Sequence, residues 1–420
     1  METNEELTSR FEEEYSESAK EKQKDTSITA RVYDFAAYVT DTNRIAKVPT
    51  GYPNIDAALN GGLSARLYVV GGETSTGKTT FVWNICENIA RTGSREVLFF
   101  SLEMSAYELI ARSVSRRSFD AANSQGVTAD IYPLTEDEVL YSLPKVSPKR
   151  YNLYAEALEE IRTKEGQHLH IIEGSRDIDQ IAAYVMRWIK EHPGEQPPLC
   201  VIDYLQILPP TPDRVYTTDV PPEEGQYTKT TDEETGIVHY HTKVTGTERK
   251  TPREQIDYNT KTLMFIKREF HTPIIVISAF NRQSSGSLET DMTALKESGS
   301  IEYSADCVML LKYRFTDKEI AGIYDSKRTN QNNKPKEAGQ FERELNIKNL
   351  LREKAKEYPR NMEILLPKNR GGQRGIDTGL QYFAAYNAYR SAPVRTPPAS
   401  SADDAREAWK KHKSEENVKK

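Results

Sequence analysis

The chain has 420 residues, of which 37% are hydrophobic and 29% charged, and its formal net charge is -6. That length suffices for one large core. The acidic balance excludes a uniformly basic surface, so any phosphate binding would have to come from local basic segments. No window approaches the ~18 apolar residues that a membrane span needs, and the charged N-terminus lacks the apolar stretch of a signal peptide.

The cysteines indicate a reducing compartment. Cys200 and Cys307 lie inside apolar runs, which predicts buried free thiols rather than a disulfide or a zinc site. Because the sequence shows neither a leader nor a membrane span, we expect a cytoplasmic protein with no membrane contact.

Residues 1–44 are predicted to form a polar N-terminal arm. Within the arm, Val32, Phe35, Ala36 and Val39 recur at helical spacing, which predicts a short amphipathic helix. This helix could pack on its own domain or dock on a neighbouring subunit, and the sequence leaves both alternatives open.

Apolar strand-like runs alternate with helical segments from residue 45 to residue 390. This alternation predicts an α/β fold with a mostly parallel sheet that helices cover on both faces. The predicted strands are Leu67–Val70, Val97–Leu102, His170–Ile172, Leu199–Ile202, Ile274–Ser278, Val308–Leu311 and Ile364–Leu366.

Three stretches interrupt this alternation and are predicted to be insertions in a single domain that spans residues 45–390. Residues 118–165 are expected to form a helical appendage, residues 209–257 a loop that carries a small hairpin, and residues 315–360 a charged segment. Residues 391–420 are of low complexity and are expected to form a disordered tail.

A glycine-rich loop between a predicted strand and a predicted helix matches the P-loop pattern G-x-x-x-x-G-K-[ST]. Its backbone N–H groups and the helix N-terminus would bind the phosphates of ATP. Lys78 would neutralise the β- and γ-phosphates, and Thr79 would ligate Mg²⁺. The predicted nucleotide-binding residues are Gly72, Thr74, Ser75, Thr76, Gly77, Lys78, Thr79, Thr80 and Asp203.

Two acidic residues follow other predicted strands. Asp203 ends the run Leu199–Ile202 and would hold Mg²⁺, although a solvated turn residue is the alternative. Glu103 follows the run Val97–Leu102 and is the best candidate for the base that orients the attacking water. An exposed loop carboxylate is the alternative there.

Beyond the P-loop, five further segments resemble the motifs of DnaB-type replicative helicases, in that family's order. They are PTGYPNIDAALNGGL (49–63), VLFFSLEMS (97–105), VIDYLQIL (201–208), LKESGSIEYSAD (295–306) and PKNRGGQRG (367–375). The resemblance implies a RecA-like P-loop NTPase core that hydrolyses ATP with Mg²⁺. It also implies a hexameric ring that acts on single-stranded DNA, with a loader or primase as a further partner.

The resemblance also implies roles for individual residues. Glu103 matches the catalytic glutamate, and Asp203 the acid associated with Mg²⁺. Lys368 and Arg370 match the basic pair that reaches the neighbouring subunit's nucleotide, where an arginine stabilises charge on the γ-phosphate. Without the family context, Lys368 and Arg370 would be interpreted as a basic surface turn.

Lys296, Glu297, Ser298 and Gly299 match the loop that contacts single-stranded DNA in the family. A lysine replaces the arginine common at the first of these positions, so it lacks the bidentate guanidinium. Arg282 begins the same segment and is a weaker DNA-binding candidate. The predicted DNA-binding residues are Arg282, Lys296, Glu297 and Gly299.

Three features depart from the family pattern. Ala279 occupies the position of a glutamine that senses the γ-phosphate, so coupling would need Gln206 or Gln283 instead. Most of the residues before 45 look disordered, so we expect this chain to lack the family's helical collar, to obtain it from another protein, or to work without it. The insertion at 209–257 is acidic on balance, which is unusual for a loop that faces DNA.

The sequence therefore favours a DNA helicase or translocase and leaves two alternatives. One is a nucleotide-binding helicase paralogue that acts as a non-unwinding scaffold, which Ala279, the absent collar and the acidic insertion favour. The other is a RecA-like recombination or loading ATPase, which the SLEM and PKNRGG motifs disfavour.

Overall fold

The computed structural model describes residues 46–393, apart from 129, 175, 213, 219–226, 232–237, 245–249, 280–302, 330–334, 338 and 374–375. It also describes Ile28, Val32 and Phe35, which are helical and exposed. The described strands are β1 (Leu67–Gly72), β2 (Val97–Ser101), β3 (Leu169–Glu173), β4 (Leu199–Asp203), β5 (Arg214–Thr218), β6 (Tyr227–Thr231), β7 (Val238–Val244), β8 (Ile274–Ala279), β9 (Cys307–Tyr313), β10 (Asp325–Thr329), β11 (Pro335–Glu337), β12 (Arg360–Asn369), β13 (Gly379–Phe383) and β14 (Ala388–Ser391).

Nine of these strands form one central sheet, in the order β14-β13-β12-β9-β1-β8-β4-β2-β3. The six strands from β9 to β3 are parallel, whereas β12, β13 and β14 are antiparallel to their neighbours. All seven predicted strands are present, and the predicted mostly parallel sheet is confirmed.

Helices cover this sheet because its strands are apolar on both sides. The described helices are α1 (Pro53–Ala58), α2 (Lys78–Thr92), α3 (Ala106–Gln125), α4 (Pro148–Thr163), α5 (Ile178–Glu191), α6 (Pro252–Glu269), α7 (Asp317–Tyr324) and α8 (Gln340–Lys356). One π turn (Glu138–Ser142) and four 3₁₀ turns (Leu143–Lys145, Glu165–Gln167, Leu205–Ile207, Ala384–Tyr386) complete the described regular structure.

Local sequence signals explain where several of these helices begin. Ser105, Asp177 and Thr251 each accept a hydrogen bond from the backbone of the first helical turn, and the side chains of Glu108, Gln180 and Glu254 accept one from the cap residue's backbone in return. These reciprocal capping boxes satisfy N–H groups that a helix start would otherwise leave without a partner.

Two hydrophobic clusters lie on opposite faces of the sheet, because successive strand side chains point to alternate sides. Tyr68 and Val70 of β1 join the cluster that contains α2, whereas Leu67 and Val69 join the cluster that contains α5 and α6. The prediction of helices on both faces is therefore confirmed. Cys86, Cys200 and Cys307 are buried free thiols, as expected of the latter two.

The predicted insertions contain regular structure of their own. Residues 209–257 hold a three-stranded antiparallel sheet in the order β5-β7-β6, and residues 315–360 hold α7, the β10–β11 pair and α8. The division into an N-terminal arm (1–44), an ATPase domain (45–390) and a tail (391–420) stays a prediction. Within the described part of the chain, every helix is too short or too polar to traverse a bilayer.

A buried ion-pair network joins α2 to α3. Arg116 Nη1 donates to Glu87 Oε2 at 2.6 Å, and Arg117 Nη2 lies 2.5 Å from Glu165 Oε1. All four side chains are almost fully buried. Because α2 begins at Lys78, this network fixes the helix that carries the P-loop.

Glu87→Gln should lower the free energy of unfolding by about 3–5 kcal/mol, because it leaves the buried Arg116 guanidinium without its counter-charge. Glu159→Gln, which breaks an exposed pair with Arg162, is the matched control and should leave the free energy of unfolding nearly unchanged, because water screens an exposed pair. Denaturant unfolding of both variants measures the two effects. Equal losses in both would show that burial of the network contributes nothing.

Candidate functional site

The P-loop leaves the carboxyl end of β1 and enters α2. Ser75 and Gly77 both have positive φ angles, +65° and +87°. At Gly77 a Cβ atom would lie 2.8 Å from the Tyr389 hydroxyl and 2.9 Å from the Tyr382 ring. Both the backbone conformation and the space therefore require glycine at this position.

Lys78 folds back over this loop. Its Nζ donates to the Glu73 carbonyl oxygen at 2.8 Å. Burial lowers the pKa of Lys78, although the carboxylates of Asp203, Glu103 and Glu73 act in the opposite direction. The ammonium group thus lies within the loop, where phosphate oxygens could replace its carbonyl partner.

Asp203 is buried at the carboxyl end of β4. Neither of its carboxylate oxygens has a hydrogen-bond partner of normal geometry among the described residues. Burial raises the pKa of Asp203 to about 6 and Glu103 acts in the same direction, whereas the nearby Thr79 hydroxyl, Arg112 and Lys78 lower it. An unsatisfied buried carboxylate beside a hydroxyl offers the oxygen donors that Mg²⁺ prefers, so these residues fit the ion.

Glu103 follows β2 and its side chain is exposed. Strand β2 pairs with β4 so that Ser101 lies opposite Asp203. Glu103 therefore lies just beyond the same carboxyl end of the parallel strands. Its charge acts on both Lys78 and Asp203. The structure therefore brings three of the predicted residues, Lys78, Asp203 and Glu103, to one place.

Strand β8 lies between the P-loop strand and the Asp203 strand, and it ends at Ala279 opposite Gly72. Gln206 Nε2 donates to Ser278 Oγ at 2.7 Å, and Gln206 Oε1 is buried without a partner among the described residues. A glutamine amide is thus present beside Ala279, although it comes from the turn after β4.

Lys368 and Arg370 lie at the other end of the sheet. Strand β12 is antiparallel to β9, with Lys368 opposite Val308. The Arg370 backbone N–H donates to the Asp306 carbonyl, and its Nη1 lies 3.5 Å from Asp306 Oδ1. Asp306 in turn hydrogen-bonds the backbone of Leu67, the first residue of β1. The structure therefore separates this pair from the P-loop of the same chain.

The predicted DNA-binding residues Arg282, Lys296, Glu297 and Gly299 lie outside the described residues, as does Gln283.

Comparison with known families agrees with this geometry. The model of the DnaB-like helicase C-terminal domain matches residues 47–220 and 224–391. The chain belongs to this family. The match includes the P-loop and Asp203 at the carboxyl end of the parallel strands and the Lys368–Arg370 turn at their amino end.

Curated DnaB-like relatives are distant in sequence. The replicative DNA helicase DnaB of Geobacillus stearothermophilus is 25% identical over 297 residues, which cover 69% of this chain and 53% of that protein. The DnaB of Buchnera aphidicola is 27% identical over 297 residues, covering 68% and 52%. The chain thus spans about half the length of these relatives.

Solved structures share the fold of this DnaB-like chain. One of them, an isolated ATPase domain, superposes with a TM-score of 0.58 at 18% identity, and the match covers 88% of this chain and 100% of that one. A DnaB-like replicative helicase, studied for its interactions with primase, gives a TM-score of 0.57 at 17% identity, covering 88% and 68%. The RecA-like fold expected from the sequence is therefore confirmed.

Sequence reasoning missed two contributors to this DnaB-like site. Arg112 of α3 places Nη1 3.4 Å from Thr80 Oγ1 and pairs with Glu136. Tyr389 of β14 packs under the P-loop. Neither residue belongs to a motif, and the short strands β13 and β14 have no long apolar run, so only the fold reveals them.

Asp203→Asn should stabilise the protein in the absence of nucleotide and Mg²⁺. An acid whose folded pKa lies above its unfolded value costs stability once the pH exceeds the unfolded pKa. The cost grows as the pH rises from 3.8, the ordinary pKa of an aspartic acid, to about 6, the pKa of Asp203 in the folded protein. Above that pH the cost is constant. The substitution should therefore add about 1–3 kcal/mol at pH 7.5, with a gain that shrinks below pH 5. Denaturant unfolding in EDTA at both pH values tests this, and a loss of stability at pH 7.5 would contradict it.

Proposed function

We propose that this chain is an ATP-dependent DNA helicase or translocase that acts on single-stranded DNA as a hexameric ring during replication in the cytoplasm. One observation carries the proposal. Lys78, Asp203 and Glu103 meet at one end of the sheet, whereas Lys368 and Arg370 lie at the other. An ATPase site at one end of the sheet and a basic pair at the other end are what neighbouring subunits of a ring would bring together.

The residues at the carboxyl end of the sheet have separate proposed roles in ATP binding. The N–H groups of the P-loop and the Lys78 ammonium would hold the phosphates. Thr79 and Asp203 would hold Mg²⁺, which screens the negative charge of the β- and γ-phosphates when it is bound. The ionised form of Asp203, which burial disfavours in the free protein, gains its counter-charge in this complex.

Glu103 is the proposed general base. Its carboxylate is exposed and lies near enough to Lys78 and Asp203 to influence the pKa of each. A carboxylate in this position can accept a proton from water that attacks the γ-phosphate and can orient that water for in-line attack.

The arginine of the same chain cannot serve this site. Arg370 contacts Asp306, which hydrogen-bonds Leu67 at the amino end of β1, whereas the P-loop begins at Gly72. Five residue steps along a strand span about 16 Å, which exceeds the reach of an arginine side chain. We therefore assign Arg370, with Lys368 beside it, to the nucleotide of a neighbouring subunit.

The N-terminal arm supports assembly. Ile28, Val32 and Phe35 recur at helical spacing, and their side chains are 84%, 49% and 63% exposed. An apolar stripe exposed to this degree favours the alternative in which the arm docks on a neighbour. A loader or primase remains a proposed further partner.

A scaffold without unwinding activity is the second candidate, and Ala279 favours it. Alanine cannot hydrogen-bond a γ-phosphate, so in this alternative hydrolysis is uncoupled from DNA. The contact between Gln206 and Ser278 weakens the argument for a scaffold because it supplies an amide next to that position.

Steady-state ATP hydrolysis with and without single-stranded DNA tests the proposal, together with unwinding of a forked duplex. Stimulation by DNA with ATP-dependent unwinding supports the helicase. ATP binding without DNA stimulation would favour the scaffold. Hydrolysis stimulated by DNA without any unwinding would point to the loading or recombination ATPase.

A further inference from the structure

Two tyrosines of the C-terminal hairpin, which β13 and β14 form, lie directly beneath the P-loop. The rings of Tyr382 and Tyr389 stack with centroids 4.2 Å apart and an interplanar angle of 4°. Phe81 of α2 packs edge-on against Tyr389 with centroids 5.4 Å apart. Tyr389 is fully buried, so its ring is held in one orientation.

The backbone of Tyr389 is fixed as well. Its N–H donates to Asn84 Oδ1 at 2.9 Å, and Asn84 Nδ2 donates to the Asn387 carbonyl at 3.1 Å. Asn84 lies on α2, the helix that the P-loop enters. These two hydrogen bonds therefore fix the position of the hairpin relative to the P-loop helix.

The Tyr389 hydroxyl donates a hydrogen bond of 2.8 Å to the carbonyl oxygen of Thr76 in the P-loop. The Thr76–Gly77 peptide bond is trans. In a trans peptide the C=O and N–H groups point in opposite directions. A carbonyl drawn inward to Tyr389 therefore turns the N–H of Gly77 outward, toward the side of the loop where phosphates would lie.

We propose that Tyr389 is a positioning residue for ATP: its hydroxyl fixes the Thr76 carbonyl and thereby aims the Gly77 N–H at the phosphate chain. The inference rests on the proposed ATP binding. Gly77 and Ser75 both have positive φ, so this peptide plane lies in a part of the loop whose backbone rotates easily at glycine. A fixed carbonyl removes that freedom before the ligand arrives.

Tyr389→Phe tests the proposal, because it removes the hydroxyl and keeps the ring. Tyr386→Phe is the matched control: it removes a hydroxyl from the same hairpin, and that ring stacks on Phe119, away from the P-loop. For each variant we would measure the melting temperature without ligand, the Kd for MgATP and for inorganic tripolyphosphate, and the steady-state KM and kcat.

Tyr389→Phe should raise the Kd for both MgATP and tripolyphosphate by roughly tenfold or more, because the Gly77 N–H, no longer held in place, loses its charge-assisted hydrogen bond to the phosphates. KM should rise by a similar factor with kcat changed by less than about threefold, because the contact serves ground state and transition state alike. Tyr386→Phe should leave both Kd values unchanged within about twofold.

A lower melting temperature with unchanged Kd values would overturn the proposal, since it would show a purely structural role. Weaker binding of MgATP but not of tripolyphosphate would also overturn it, because the phosphates would then not be involved. If the wild-type protein binds neither ligand, the proposed function itself fails. Should Tyr389→Phe not fold, Asn84→Ala, which frees the hairpin from α2, must show the same joint loss of affinity for both ligands.

Discussion

Glu103→Gln is expected to lower kcat for ATP hydrolysis by about 10²–10⁴-fold, the usual contribution of a general base. ATP binding should change less than about threefold, because the amide replaces an exposed side chain that does not hold the nucleotide in the proposed mechanism. The protein should also remain fully folded, since Glu103 is exposed and surface substitutions cost little stability.

Glu173→Gln is the matched control for this experiment. Glu173 ends β3, the strand next to β2, and Ser101 lies opposite it. Its carboxylate accepts a hydrogen bond from the Ala106 backbone N–H at 2.8 Å, an acceptor role that a glutamine amide retains. Hydrolysis by this variant should stay close to the wild-type rate. Undiminished kcat in Glu103→Gln would contradict the assignment of the base.

Arg370→Ala is expected to lower kcat by about 10³–10⁵-fold, as loss of an arginine finger does in other P-loop enzymes. The decisive result is complementation. Lys78→Ala subunits keep Arg370, and Arg370→Ala subunits keep the P-loop. Mixing the two inactive variants should therefore restore part of the activity, because one kind of mixed interface carries both intact groups.

Arg352→Ala provides the control for loss of a guanidinium. Arg352 lies exposed on α8, and its removal should leave hydrolysis unchanged. Recovered activity should rise with total protein concentration, because only contacts between subunits restore it. No recovery in any mixture, despite assembly shown by sedimentation, would place the arginine's action within its own chain and overturn the trans assignment.

The sequence could predict which candidate residues meet at the carboxyl end of the sheet, because each of them follows a local pattern. The P-loop has fixed spacing, and Asp203 and Glu103 come directly after apolar runs that form buried strands. Parallel strands bring such ends together, so the local pattern suffices.

The opposite edge could not be predicted in the same way. Arg370 is separated from the P-loop because β12 is antiparallel to β9 and changes register between Leu365 and Lys368. Neither direction nor register is encoded in the PKNRGG motif itself. Tyr389 could not be predicted for a related reason. Its partner is the backbone carbonyl of Thr76, 313 positions away. Every residue has a backbone carbonyl, so the pattern of side chains cannot indicate which one Tyr389 contacts.

The placement of Arg370 at the amino end of β1 and of the P-loop at its carboxyl end also constrains how copies of this chain can associate. In the proposed assembly the Arg370 surface of one subunit meets the P-loop surface of the next, and because these surfaces lie at opposite ends of β1, a head-to-tail contact completes one site at each interface. An open row of subunits always has one site fewer than it has members, and closing the row adds that last site. Turnover per subunit would therefore report on whether the row has closed.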